Sequence, residues 1–122
     1  MIGIGTDLVD IDRFRRVLSR TPGMRDRLFL PAELAYADGS ADPARPLVAR
    51  FAAKEAVLKS LESGLGAMAF HDIEVVRHDD GHPELLLHGA AVEYAASKGA
   101  TRFLVTLSHT DSLAQAVVAA LP

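Results

Sequence analysis

The first residues of the chain alternate. Ile2, Ile4, Thr6 and Leu8 fall on one side of an extended segment and Gly3, Gly5 and Asp7 on the other, so Met1 to Leu8 predicts a strand with one apolar face and one bare face that presents a carboxylate. The period then lengthens. Asp10 is placed to cap a helix whose inward stripe is Ile11, Phe14 and Leu18, and Thr21-Pro22-Gly23 stops it. A short helical piece is expected over Met24 to Leu30, and Pro31 suits the first position of another running to about Ala37. Asp38 to Pro46, with Gly, Ser, Asp and two prolines, reads as a loop.

Leu47 to Leu61 predicts the longest helix. Leu47, Phe51, Leu58 and Leu61 share one stripe at helical spacing; Lys54 falls inside that stripe, and Glu55 and Lys59 flank it. Gly64-Leu65-Gly66 is expected to end the helix. Ile73 to Arg77 and Glu84 to His88 read as strands around a turn at Asp79-Asp80-Gly81, and Gly89 to Lys98 as an alanine-rich helix closed by Gly99. Arg102 to Leu107 and Leu113 to Leu121 complete the pattern as strands on either side of a polar turn, Ser108 to Ser112. Because hairpins dominate, the predicted class is α+β with a largely antiparallel sheet and a long central helix, in one domain spanning residues 1–122.

Composition narrows the chemistry. A chain of 122 residues with 49% apolar and 24% charged positions can bury a core unaided, and its lack of cysteine excludes thiol catalysis, Cys-ligated zinc and disulfide scaffolding. The absent cysteines fit a reducing cytoplasm. Apolar runs fall far short of the roughly 20 residues of a membrane span, and no basic segment leads an export signal. Charge is uneven: six arginines between Arg13 and Arg27 against the single Asp26 give that segment +5, leaving −8 elsewhere in a chain of net charge −3. Such a patch suits an acidic protein partner better than a nucleic acid, for which a globally basic domain is expected; a solvated helix face is the plainer alternative.

No Walker loop, dinucleotide fingerprint, HExxH or GxSxG occurs. His71, His78, His82 and His88 match no metal-site spacing, whereas His109 lies in the polar turn between two apolar strands. Of three lysines, Lys54 and Lys59 occupy adjacent turns of one helix, as compact ammonium groups would beside phosphate oxygens. The alternative is that Lys54 snorkels and Glu55 pairs with Lys59 on the surface, worth about 0.3–0.5 kcal/mol. Asp7 and Glu55 are the two carboxylates best placed to hold a hard divalent ion such as Mg²⁺, which takes only one or two protein carboxylates and completes its shell with water and phosphate. Together these groups point to phosphoryl or pyrophosphate chemistry.

Three blocks carry a resemblance: Gly3-Ile4-Gly5-Thr6-Asp7-Leu8-Val9-Asp10-Ile11, Arg50-Phe51-Ala52-Ala53-Lys54-Glu55-Ala56-Val57-Leu58-Lys59 and Leu107-Ser108-His109-Thr110. In this order they resemble the holo-acyl-carrier-protein synthases, the small 4′-phosphopantetheinyl transferases. The resemblance implies transfer of 4′-phosphopantetheine from coenzyme A to a serine of an acidic apo acyl carrier protein, releasing adenosine 3′,5′-bisphosphate. It implies Mg²⁺ on Asp7 and Glu55, catalytic parts for Asp7, Glu55, Lys59 and His109, and coenzyme A contacts from Arg50, Lys54, Lys59, Gly64, Pro83, Ser108 and His109. A homotrimer with sites between subunits is implied as well, and Arg13, Arg16 and Arg20 become the surface for the carrier protein. Two turns differ from the family's usual pattern: Gly81-His82-Pro83 stands where Gly-Lys-Pro is frequent, and Ser63-Gly64-Leu65-Gly66 where Gly-Thr-Gly is frequent. The rival reading is a non-catalytic trimeric domain that binds coenzyme A or a nucleotide with the same lysines.

Overall fold

The computed structural model describes all of residues 1–122. Strand β1 runs from Gly3 to Asp10 and passes directly into helix α1 (Ile11–Arg20), whose first turn is closed by the Asp10 carboxylate accepting from the Arg13 N–H at 2.9 Å. Helices α2 (Met24–Leu28) and α3 (Pro31–Asp38) follow, then α4 (Ala44–Ser60), the hairpin β2 (Ile73–Arg77) and β3 (Pro83–Leu87), helix α5 (Ala90–Ser97), and strands β4 (Arg102–His109) and β5 (Leu113–Leu121). All strand pairs are antiparallel, in a three-stranded sheet ordered β1-β5-β4 and the two-stranded β2-β3. The α+β class with antiparallel sheets is as the pattern predicted.

Several boundaries moved by a few residues, and those of α4 and β4 have a local reason. Helix α4 begins at Ala44 rather than Leu47, because Pro46 lies in the first turn, where its missing N–H has no intrahelical partner to lose. The helix ends at Ser60, one residue before the expected Leu61, and it is closed by Glu62, which adopts the left-handed conformation (φ 55°), rather than by Gly64-Leu65-Gly66; the Ser63 N–H donates back to the Leu58 carbonyl. Strand β4 extends to His109, which stands opposite Ala114 in the ladder; the Thr110 N–H donates to the Leu113 carbonyl at 2.8 Å, so the turn is only Thr110 to Ser112.

The glycine face of β1 is the buried one. A Cβ on Gly3 would lie 2.0 Å from the Ser60 carbonyl oxygen, and one on Gly5 would lie 2.1 Å from that of Ala56, so α4 rests on strand backbone rather than on side chains. Ala114, Ala116, Val118 and Ala120 of β5 face the same helix and are buried. The alternating apolar residues of β1 therefore point outward: Ile4 is 64% and Leu8 60% exposed, and Leu104, across β5 on the same face, is 58% exposed. A second cluster packs Ile11, Phe14 and Phe29 against Leu47 and Val48, fixing α1 across the N-terminal half of α4.

Candidate active site

Where α4 lies against β1, the strand's third inward position, Asp7, emerges beside the helix's Glu55 and Lys59. Lys59 Nζ donates to Asp7 Oδ1 and to the Thr6 carbonyl, both at 3.0 Å. The surface pair expected between Glu55 and Lys59 is thus not formed; the lysine crosses to the strand. Glu55 is half-buried, and burial first, then the Asp7 charge, raises its pKa from the ordinary glutamate value. Asp7, Glu55, Arg13, Phe14 and Phe51 line one cleft of about 610 Å³. Two hard oxygen donors that feel one another's charge fit a Mg²⁺ ion that keeps several waters. No group of three or more His, Asp or Glu side chains is arranged so that it could hold a metal ion by itself.

Lys54 does not join this group. It is 0% exposed, and its ammonium donates to Glu33 Oε1 at 2.6 Å, to the Leu28 carbonyl at 2.8 Å and to the Phe70 carbonyl at 3.1 Å. An ammonium has three donors, and all three are taken inside the protein. The expectations of a phosphate contact and of snorkelling both fail here. Glu33 in turn accepts from the Leu30 N–H and the Val75 N–H, so one ion pair joins α2, α3, α4 and β2.

Arg50, one turn before Lys54, opens the other way. Its guanidinium lies 4.4 Å from the Tyr36 ring centroid and donates to the Pro46 carbonyl at 3.3 Å, while its buried Nε has no partner. Burial lowers its pKa. With Arg45, Arg77, Tyr36 and His109 it lines a second cleft of about 420 Å³, whose floor carries several cationic groups and no carboxylate. Arg45 donates to the Asp111 carbonyl at 2.9 Å and so ties α4 to the β4–β5 turn that follows His109.

A single chain therefore presents two separate clefts: Asp7 and Glu55 line one, with Lys59 bonded to Asp7, and Arg50 and His109 line the other. Ser108 pairs with Gln115 on the outer sheet face, opposite in direction to His109. Gly64 lies exposed in the segment after α4 and Pro83 begins β3, and neither lines either cleft. Sequence reasoning did not find Glu33, Arg45, Arg77 or Tyr36. Only Glu33 left a signal, because a lysine inside an apolar stripe requires a buried acceptor. On α1, Arg13, Arg16 and Arg20 are exposed, and no salt bridge holds them, whereas Arg15 pairs with Asp42 and Arg25 with Asp38. No helix is long and apolar enough to cross a membrane.

Residues 3–118 match the 4′-phosphopantetheinyl transferase superfamily. The holo-(acyl-carrier-protein) synthase of Clavibacter michiganensis subsp. michiganensis is 47% identical over 116 residues, 95% of this chain and 92% of the relative. That of Moorella thermoacetica is 42% identical over 117 residues, 96% of this chain and 91% of the relative. Among solved structures, the holo-(acyl-carrier-protein) synthase of Neisseria meningitidis superposes with a TM-score of 0.91 at 30% identity, over 100% of this chain and 99% of its own. The Helicobacter pylori enzyme in complex with coenzyme A superposes with a TM-score of 0.84 at 27% identity, over 97% and 99%.

Proposed function

This chain belongs to the 4′-phosphopantetheinyl transferase superfamily, and on that premise we propose that it transfers 4′-phosphopantetheine from coenzyme A to a serine of an apo acyl carrier protein. The products are the holo carrier protein and adenosine 3′,5′-bisphosphate. The single observation that carries the reading is the Asp7–Lys59–Glu55 cluster, two carboxylates in one cleft with an ammonium bonded to Asp7, set in a chain related over nearly its whole length to synthases of this kind.

In this reading Asp7 and Glu55 would hold Mg²⁺, which would supply positive charge against the pyrophosphate and the leaving phosphate. Lys59 places an ammonium within reach of the same pyrophosphate. The serine oxygen attacks the phosphorus that bears the pantetheine arm, the bond from that phosphorus to the bridging oxygen breaks, and the bisphosphate leaves with the electron pair. The serine proton passes to Glu55 or to an ordered water. Support for Glu55 is its raised proton affinity in a half-buried position. The Arg50 cleft, with its unpartnered Nε, receives a phosphate of coenzyme A together with His109. Arg13, Arg16 and Arg20 meet the acidic carrier protein, Arg13 at the lip of the Asp7 cleft.

The two clefts become one site if chains assemble. The outer face of the β1-β5-β4 sheet exposes Ile4 and Leu104, which flank Ala119 of the central strand, and Leu8 further along β1, apolar positions of the kind that subunit contact covers. A cyclic homotrimer joined through it sets the Arg50–His109 cleft of one chain against the Asp7–Glu55 cleft of the next, giving three equivalent sites. A cytoplasmic location and a part in fatty acid or polyketide biosynthesis follow from the substrate. Intact-protein mass spectrometry of an apo carrier protein incubated with coenzyme A, Mg²⁺ and this protein tests the activity: each carrier should gain the mass of one phosphopantetheine. Binding of coenzyme A with no mass gain would favour the non-catalytic binding domain.

A further inference from the structure

Lys59 spans an unusual pair of environments: its side chain is 52% exposed, yet its ammonium sits on the Asp7 carboxylate, which is only 11% exposed. It makes this contact although Glu55, one helical turn away, is the partner that helix geometry offers first. The second bond, to the Thr6 carbonyl, fixes the ammonium over the strand rather than over the helix. Asp7, Glu55 and Lys59 together carry a charge of −1, and the lysine holds one of the two Asp7 oxygens that a divalent ion could use.

We propose that Lys59 is a displaceable counter-ion, held by Asp7 in the free enzyme and handed to the pyrophosphate when metal and coenzyme A bind together. The inference rests on Asp7 and Glu55 being the metal ligands. A metal ion arriving alone must displace the ammonium or sit beside it, and either weakens its binding. A pyrophosphate gives the ammonium another partner and removes that opposition. Metal and coenzyme A therefore each tighten the binding of the other, and by linkage the factor is the same in both directions. Since Lys59 is half in water, the opposition it supplies should be at the low end of such couplings, about fivefold.

The test uses Mn²⁺ as the probe. Free Mn²⁺ is read by its electron paramagnetic resonance signal in titrations of the assembled protein, with and without coenzyme A, corrected for Mn²⁺ held by coenzyme A alone. Without coenzyme A, Lys59→Gln should bind Mn²⁺ about fivefold more tightly than wild type. Addition of coenzyme A should tighten Mn²⁺ binding by a smaller factor in Lys59→Gln than in wild type, and Lys59→Arg should restore wild-type behaviour. Asp7→Asn should abolish the binding. Equal or weaker Mn²⁺ binding by Lys59→Gln, or an unchanged coenzyme A effect, would overturn the lysine's role while leaving the metal site intact. Wild-type Mn²⁺ binding by Asp7→Asn would overturn the metal assignment, and the counter-ion with it.

Discussion

The buried pair of Lys54 and Glu33 permits a quantitative forecast. Both side chains are 0% exposed, and their charges are 2.6 Å apart. Removing the ammonium by Lys54→Met keeps much of the apolar volume, but it strands the Glu33 carboxylate and leaves the Leu28 and Phe70 carbonyls without a donor. Breaking a buried pair from one side costs about 3–5 kcal/mol, a large part of the roughly 5–15 kcal/mol that holds a domain together. At about 4 °C per kcal/mol for a chain of this length, the melting temperature should fall by roughly 12–20 °C. The assay is urea unfolding followed by circular dichroism at one fixed protein concentration, because subunit association makes stability depend on concentration. Glu33→Gln combined with Lys54→Met should lose less than the two single losses together, with a coupling of about 2 kcal/mol. At a temperature where Lys54→Met remains folded, its KM for coenzyme A should stay within about twofold of wild type, since the ammonium touches protein atoms alone. A loss under about 1 kcal/mol, or a folded variant whose coenzyme A KM rises about tenfold, would refute the structural role and put Lys54 back at the phosphates.

Other consequences are measured more simply. Asp7→Ala and Glu55→Ala should each lower the transfer rate by at least about 100-fold with unchanged circular dichroism, because each removes one of two protein ligands from the ion; near-normal turnover of either at limiting Mg²⁺ would contradict the assignment. Arg13→Glu should raise the KM for the carrier protein but not for coenzyme A, and the wild-type carrier KM should climb with salt as screening shortens below about 10 Å at 0.1 M. A carrier KM indifferent to both would leave α1 as a solvated face. Gly5→Ala should cost about 3 kcal/mol or prevent folding, since its Cβ would meet the Ala56 carbonyl and the Ser60 amide of α4. Gly64→Ala, with nothing within 4 Å of the added carbon, should change urea stability by less than about 0.5 kcal/mol.

The elements with clear periodicity were legible: α1 with its Asp10 cap, both hairpins and the long helix all exist, with ends displaced by a few residues. The direction of β1 was not. Alternation shows that Ile4 and Leu8 share a face, but it cannot show that a helix will lie on the glycine side, because that contact is made by backbone. Lys54 inside an apolar stripe was a visible anomaly whose answer, Glu33, lies 21 residues away on another helix, a separation that no local pattern encodes. Asp7 and Glu55 were legible as chemistry and are brought to one cleft, while His109 is not near enough to line it. The cationic cleft around Arg50 escaped notice because Arg45, Arg77 and Tyr36 come from three separate segments, each unremarkable alone. Tertiary packing alone joins them.

The central claim is that transfer occurs at a site built from two chains, Asp7 and Glu55 from one and His109 from its neighbour. Asp7→Ala and His109→Ala proteins, each inactive alone, are to be co-expressed at equal levels, and native mass spectrometry is to verify that mixed trimers form. Carrier-protein modification is then followed by intact mass. With random mixing in a cyclic trimer, about one site in four pairs an intact Asp7 with an intact neighbouring His109, so transfer should return at about a quarter of the wild-type rate. Mixed trimers that assemble yet stay as inactive as their parents would contradict the shared site.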